Sequence, residues 1–184
     1  WAEALDAFTQ SAALRPHAVT TYNIGACHRA MGRYTRARVS FRTALAREAE
    51  RPGELPATLA ADCQRYLDEI DGLLAHLALK IEPPDALLAI DGAPLERESA
   101  RGEPLRMVAG VAAAGRGAKL PAASFVVDLD PGAHVLLISR KGYKDIAINR
   151  TLGAGDSAKL ALALDRLPAT LYVSSNTDTA VIEL

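Results

Sequence analysis

Apolar residues recur at intervals of three and four through the N-terminal part of the chain. Leu5, Phe8 and Ala12 form one such stripe, and Ile24, Cys27 and Met31 a second. Leu59, Cys63, Tyr66, Ile70, Leu74 and Leu77 form a third. This period puts each set on one face of an α-helix. Pro16, the Gly32 turn and Arg51-Pro52-Gly53 ahead of Leu55-Pro56 interrupt it, since proline lacks a backbone donor and glycine tolerates the conformations that end helices. The pattern predicts helices over 1–14, 18–31, 34–50 and 56–77. From residue 79 the apolar runs shorten to strand length, at 79–81, 87–90, 125–129, 134–138, 145–148 and 158–162. Turn residues bound them: Pro83-Pro84-Asp85, Asp91-Gly92, Asp130-Pro131-Gly132, Lys141-Gly142 and Gly153-Ala154-Gly155-Asp156. Short strands at close spacing argue for an antiparallel sandwich or small barrel rather than βαβ units. The fold class expected is α + β, with a helical part over 1–78, a β part over 79–166 and a trailing piece over 167–184.

Composition narrows the function classes more than it names one. The chain has 184 residues, 49% of them hydrophobic and 23% charged, the balance of a folded globular protein. A net charge of −1 gives no broad basic field for nucleic acid or an anionic membrane. Two cysteines and four scattered histidines are too few for a disulfide scaffold or an evident metal cluster, so no cofactor is expected. Cys27 and Cys63 sit in helical stripes, where a buried free thiol is the common reading. No stretch reaches the roughly 20 apolar residues that span a bilayer. The opening Trp1-Ala2-Glu3-Ala4-Leu5-Asp6 has no basic n-region. It reads as the middle of a helix, so the chain is expected to be part of something longer.

The helical part repeats itself. Residues 1–8 align with 34–41 at a 33-residue offset, matching Trp1 with Tyr34, Ala4 with Ala37 and Phe8 with Phe41. The complete unit carries Asn23-Ile24-Gly25, His28, Gly32-Arg33-Tyr34, Ala37, Phe41 and Ala44-Leu45. It resembles the tetratricopeptide repeat, a helix–turn–helix unit of 34 residues. Small Gly25 and Ala37 stand where paired helices approach, Gly32 stands at the turn, and Phe41 and Ala44 stand in the seam. A repeat proline after Leu45 is missing. Helix 56–77 takes the place of the next repeat's first helix or of a cap, with Cys63 in the slot of Gly25. The resemblance implies a groove that binds a protein or peptide, lined on helix 18–31 by Tyr22, Asn23, Ala26 and Arg29. In the family, an asparagine at the position of Asn23 often holds a ligand backbone or carboxylate; the alternative is that it braces the helix pair. Arg29, Arg33, Arg36, Arg38, Arg42 and Arg47 run without an intervening acid, and form either a receiving surface for an acidic partner or a solvated helix face.

The β part carries a second resemblance. The segment 81–92 has a strand, a bend at Pro83-Pro84-Asp85-Ala86, a second strand and Asp91-Gly92. Later come Asp130-Pro131-Gly132-Ala133-His134 and a strand leading to Gly142-Tyr143. Together these resemble the PEGA domain, a small bacterial and archaeal β-sandwich, over 79–94 and 123–165. The naming motif departs from the family's, with Asp85 at a glycine position. Residues 95–124 read as a mobile insertion with one strand near 105–108. Gly110, Gly115-Arg116-Gly117 and Lys119 lack the Gly-Lys-Ser/Thr ending and the strand–helix context of a phosphate loop. Residues 169–184 parallel the opening of the β part, as the start of a second unit or as edge strands of the first.

No nucleophile, metal-protease or paired-cysteine motif occurs. His134 belongs to the turn. The two resemblances together imply a non-enzymatic scaffold or adaptor of the cell envelope or periplasm, with a protein or peptide partner and no nucleic acid. The other reading is a non-catalytic extracytoplasmic region of a larger signalling enzyme, such as a membrane-anchored protein kinase.

Overall fold

Four helices lead the chain: α1 (Ala2–Leu14), α2 (Ala18–Ala30), α3 (Tyr34–Glu50) and α4 (Ala57–Leu73). The computed structural model describes residues 1–98 and 105–168. Each helix ends for a local reason. Arg15 precedes Pro16 and is extended, at φ −143°, because the proline ring crowds the helical conformation of its neighbour. His17 then opens α2, its side chain accepting from the Val19 amide. Gly32 takes φ +71° between α2 and α3, a conformation cheap only for glycine. Between α3 and α4 the Glu48 carboxylate accepts from the Gly53 amide at 2.8 Å and the Leu55 amide at 2.5 Å. Those two bonds hold its carboxyl below the ordinary glutamate range.

One side chain organises the helical core. Phe41 is fully buried and lies between Tyr22 (ring centroids 5.8 Å apart) and Tyr66 (5.3 Å). Its ring also presses on bare Gly25, where a Cβ would sit 2.8 Å from the ring edge. Ala18, Ala37, Ala44, Cys63, Leu67, Ile70 and Leu74 complete this cluster. Small residues let the backbones close in, and the aromatic ring fills the space between them.

Among the described residues nine strands follow: β1 (Ala75–Glu82), β2 (Leu87–Ile90), β3 (Glu96–Arg97), β4 (Arg106–Val108), β5 (Ala118–Lys119), β6 (Ser124–Leu129), β7 (Gly132–Ser139), β8 (Ile146–Leu152) and β9 (Ser157–Ala163). They form two sheets, ordered β3-β4-β6-β1-β9 and β5-β2-β7-β8. Alternation decides which residues face inward. Leu77, Leu79 and Ile81 of β1 and Phe125, Val127 and Leu129 of β6 share one core with Leu88, Ile90, Leu136 and Ile138 of the second sheet.

Three expectations change. The helix expected over 56–77 stops at Leu73, and β1 starts at Ala75. Ile70, Leu74 and Leu77 satisfy the helical period, but Ala75, Leu77, Leu79 and Ile81 also alternate with His76, Ala78, Lys80 and Glu82, and burial follows the alternation. The five-stranded sheet is mixed, with β1 parallel to β9 and β4 parallel to β6, while the four-stranded sheet is antiparallel throughout. The long connections between those strands make parallel pairing possible. The described parts of 95–124 contribute β3, β4 and β5 and bury Met107, Val108, Ala109 and Leu120, so they belong to the core instead of hanging from it. Residues 99–104 of that stretch, and the second β unit expected over 169–184, lie outside the described residues.

Candidate functional site

The residues expected to line a groove lie on one side of α2, opposite α4. Tyr22, Asn23, Ala26 and Arg29 are all half-buried. Tyr22 packs on Phe41; burial first, and Tyr66 and Asp62 after it, push its hydroxyl up to about 12. Arg29 Nη2 donates to both Glu69 carboxylate oxygens, at 2.7 and 2.6 Å. The same guanidinium lies 4.4 Å above the Tyr66 ring. Arg29 thus binds α2 to α4 and stacks on an aromatic face, a placement that suits its planar fork. Asn23 makes no side-chain hydrogen bond to the described residues.

Half of the arginine run is taken up by acids of the chain itself: Arg29 by Glu69, Arg38 by Glu98 and Asp128, and Arg42 by Glu98. Arg38 is buried, and its Nη2 donates to Glu98 Oε2 and Asp128 Oδ2, each at 2.9 Å. Asp71 lies 3.4 Å from its Nη1. Arg42 bonds to the other Glu98 oxygen. His76 Nδ1 stands 2.8 Å and Arg106 Nη2 3.2 Å from Asp128 Oδ1. Glu98 and Asp128 side chains are only 6% and 1% exposed, so these charges are held by each other rather than by water. Sequence reading missed this cluster because its members come from α3, α4, β1, the residue after β3, β4 and β6. The one local signal was Asp128, an acid inside the apolar strand 125–129, and an acid there needs a partner.

Two further contacts fasten α3 to the β part. Asp130 Oδ1 accepts from the Thr35 amide at 2.7 Å and Oδ2 from the Thr35 hydroxyl at 3.3 Å. It supplies the cap that Arg33, the residue before α3, does not. Burial outweighs those bonds and raises the Asp130 carboxyl above the ordinary aspartate value. Arg36 Nε donates to the Gly110 carbonyl at 2.6 Å. Gly110 takes φ +78°, and a Cβ there would lie 3.3 Å from Thr35 Oγ1.

Elsewhere, His134 braces the turn before β7: its ring nitrogens stand 2.7 Å from Asp91 Oδ2 and 2.7 Å from the Asp130 carbonyl. Asp91 also accepts from the Val135 amide at 2.8 Å. The outer face of the five-stranded sheet holds a concavity of about 840 Å³, floored by Ala78, Val126 and Ala161 and edged by Lys80, Arg97 and Lys159. Among the described residues no group of three or more His, Cys, Asp or Glu side chains is placed to hold a metal ion. No helix of the described residues is long and apolar enough to cross a membrane. No family model matches the chain, and no curated protein matches it.

Proposed function

We propose that the chain is a non-enzymatic scaffold or adaptor of the cell envelope, in which tetratricopeptide-like helices bind a protein or peptide and a PEGA-like β-sandwich serves as spacer or attachment unit. The observation that carries this reading is the helical seam. Bare Gly25 against Phe41, with Ala37 and Ala44 buried beside them, is the packing that the repeat resemblance implies. Helix α4 supplies the neighbour that a repeat needs, and Arg29, Glu69 and Tyr66 join the two first-helix positions. A solenoid of this kind presents its first helices to a ligand. On α2 that surface holds Asn23, whose amide can pair with the backbone of an extended peptide.

The ionic junction supports the adaptor role on a second count. It ties the helices to the sheet through buried charges, so a load taken up at one part is handed to the other. Asn23→Arg tests the groove, because it fills the site from a half-buried position whose side chain makes no hydrogen bond among the described residues. Panning a displayed peptide library against the wild-type chain is expected to enrich binders that Asn23→Arg no longer holds, at an unchanged melting temperature. Failure to enrich any peptide, or binders indifferent to Asn23→Arg, overturns the assignment. Arg29 is not a clean probe, since replacing it also breaks the pair with Glu69.

A further inference from the structure

A second cavity, of about 410 Å³, lies where α2, α3 and the segment after β4 meet. His28, Arg36, Val39, Ser40, Val111 and Ala113 line it. His28 is 8% exposed, and its Nδ1 is buried with no hydrogen-bond partner. An unpaired buried polar atom costs about 1–3 kcal/mol, so folded chains leave few of them without a purpose. Arg36 is held from one side only: its Nε donates to the Gly110 carbonyl, which fixes the guanidinium at the cavity wall. The carboxylates of this region go to Arg29, Arg38 and Arg42, and among the described residues neither Arg36 nor Arg33 has an acidic partner. Ser40 adds a hydroxyl whose one proton goes to the Arg36 carbonyl and which can donate to a ligand only by turning away from that carbonyl. The remaining wall, Val39, Val111 and Ala113, is apolar.

We infer that this cavity is a binding site for a small oxyanion-bearing molecule, a carboxylate or phosphate monoester with a short apolar portion. The charged group sits against the Arg36 fork and the His28 imidazole, and the apolar portion lies along Val39 and Val111. Arginine's planar donors suit both carboxylate and phosphate. The apolar wall of Val39, Val111 and Ala113 beside the charged groups is why an organic ligand is assigned rather than a bare ion. The site is separate from the Asn23 surface and does not depend on it.

His28 reports on occupancy. Burial first, then the Arg36 and Arg33 charges, lower its pKa to about 4. The charges acting on it from α3 and from the turn before it are both cationic, and Val111 and Ala113 on the facing segment are uncharged. An anion beside the ring reverses the balance and favours the imidazolium. Binding therefore raises the His28 pKa, and affinity strengthens as pH falls through the raised value.

The test is an NMR titration of the wild-type chain with inorganic phosphate, acetate and butyrate, following the His28 ring and the 28–40 and 109–113 amides. A saturable shift centred on His28, with an upward move of its pKa, is the expected result. Butyrate binding more tightly than acetate assigns the apolar wall; phosphate alone saturating the site assigns a phosphate ester. Arg36→Gln is expected to weaken binding roughly tenfold to a hundredfold, the worth of a charge-assisted hydrogen bond. Ser40→Ala, which leaves the Gly110 contact intact, is expected to weaken it less and guards against misfolding of the first variant. No saturable change at His28 with any of the three anions overturns the inference. Shifts that persist equally in both variants overturn it as well, since they mark diffuse surface association.

Discussion

Replacing Arg38 with Met keeps the apolar stem of the side chain and removes its charged head. The structure sets the size of the effect. Arg38 serves two carboxylates that are 6% and 1% exposed, and breaking one partner of a buried pair costs about 3–5 kcal/mol because a charge is left uncompensated. Here neither acid is abandoned. Asp128 keeps Arg106 at 3.2 Å and His76 at 2.8 Å, and Glu98 keeps Arg42. The expected loss is therefore at the lower end, about 3 kcal/mol. For a chain of this size that lowers the melting temperature by about 6–12 °C. Urea unfolding followed by far-ultraviolet circular dichroism measures it directly. Arg38→Met combined with Glu98→Gln and Asp128→Asn is expected to recover most of the loss, because neutral amides need no counter-charge. If Arg38→Met falls within about 1 kcal/mol of wild type, as for an exposed ion pair, the junction is not held by buried charge and the reasoning fails.

Two other substitutions test the helical core and the cap. Gly25→Ala sets a Cβ 2.8 Å from the Phe41 ring, which Tyr22 and Tyr66 prevent from moving aside. Overpacking costs about 1–3 kcal/mol against a helix-propensity gain of about 1 kcal/mol, so the variant is expected to be less stable in urea, and Phe41→Leu in the same chain to restore part of the loss. Asp130→Asn keeps an oxygen to accept from Thr35 and removes a buried charge. Because the folded Asp130 carboxyl is raised, its contribution is largest at low pH and is lost as pH climbs past the ordinary aspartate range. The variant is therefore expected to gain on wild type between acid and neutral pH, and urea midpoints that change in parallel across that range would contradict the assignment.

Local pattern carried the helices well and the contacts between the two parts hardly at all. The expected helices over 18–31 and 34–50 match α2 and α3 to within a residue, because Pro16, Gly32 and Pro52 punctuate them. The end of α4 was ambiguous for a physical reason: Leu77 satisfies both the helical period of Ile70 and Leu74 and the strand alternation of Ala75, Leu79 and Ile81, and only the pairing of β1 with β6 and β9 decides between them. The arginine run was misread because sequence shows charge without its partners. Glu98 and Asp128 stand 60 and 90 residues from Arg38, beyond any local spacing rule. His28 is carried by the repeat-like unit on α2, and nothing in the sequence marks its nitrogen as unpaired. Asn23 and Arg29 differ in the same way: both are on the expected face of α2, and only the position of Glu69 shows that one of them is already engaged.

The parallel pairing of β1 with β9 has a mechanical consequence. The helices enter the β part at the start of β1, and the chain leaves β9 at its end. Since the two strands run the same way in register from His76↔Ser157 to Glu82↔Ala163, those two points lie at opposite ends of the ladder. Tension between them slides the strands lengthwise and loads every rung at once. An antiparallel pair joined at the same points would instead peel open one rung at a time. The β part is thus arranged to carry pull along its length, with its hydrogen bonds sharing the force.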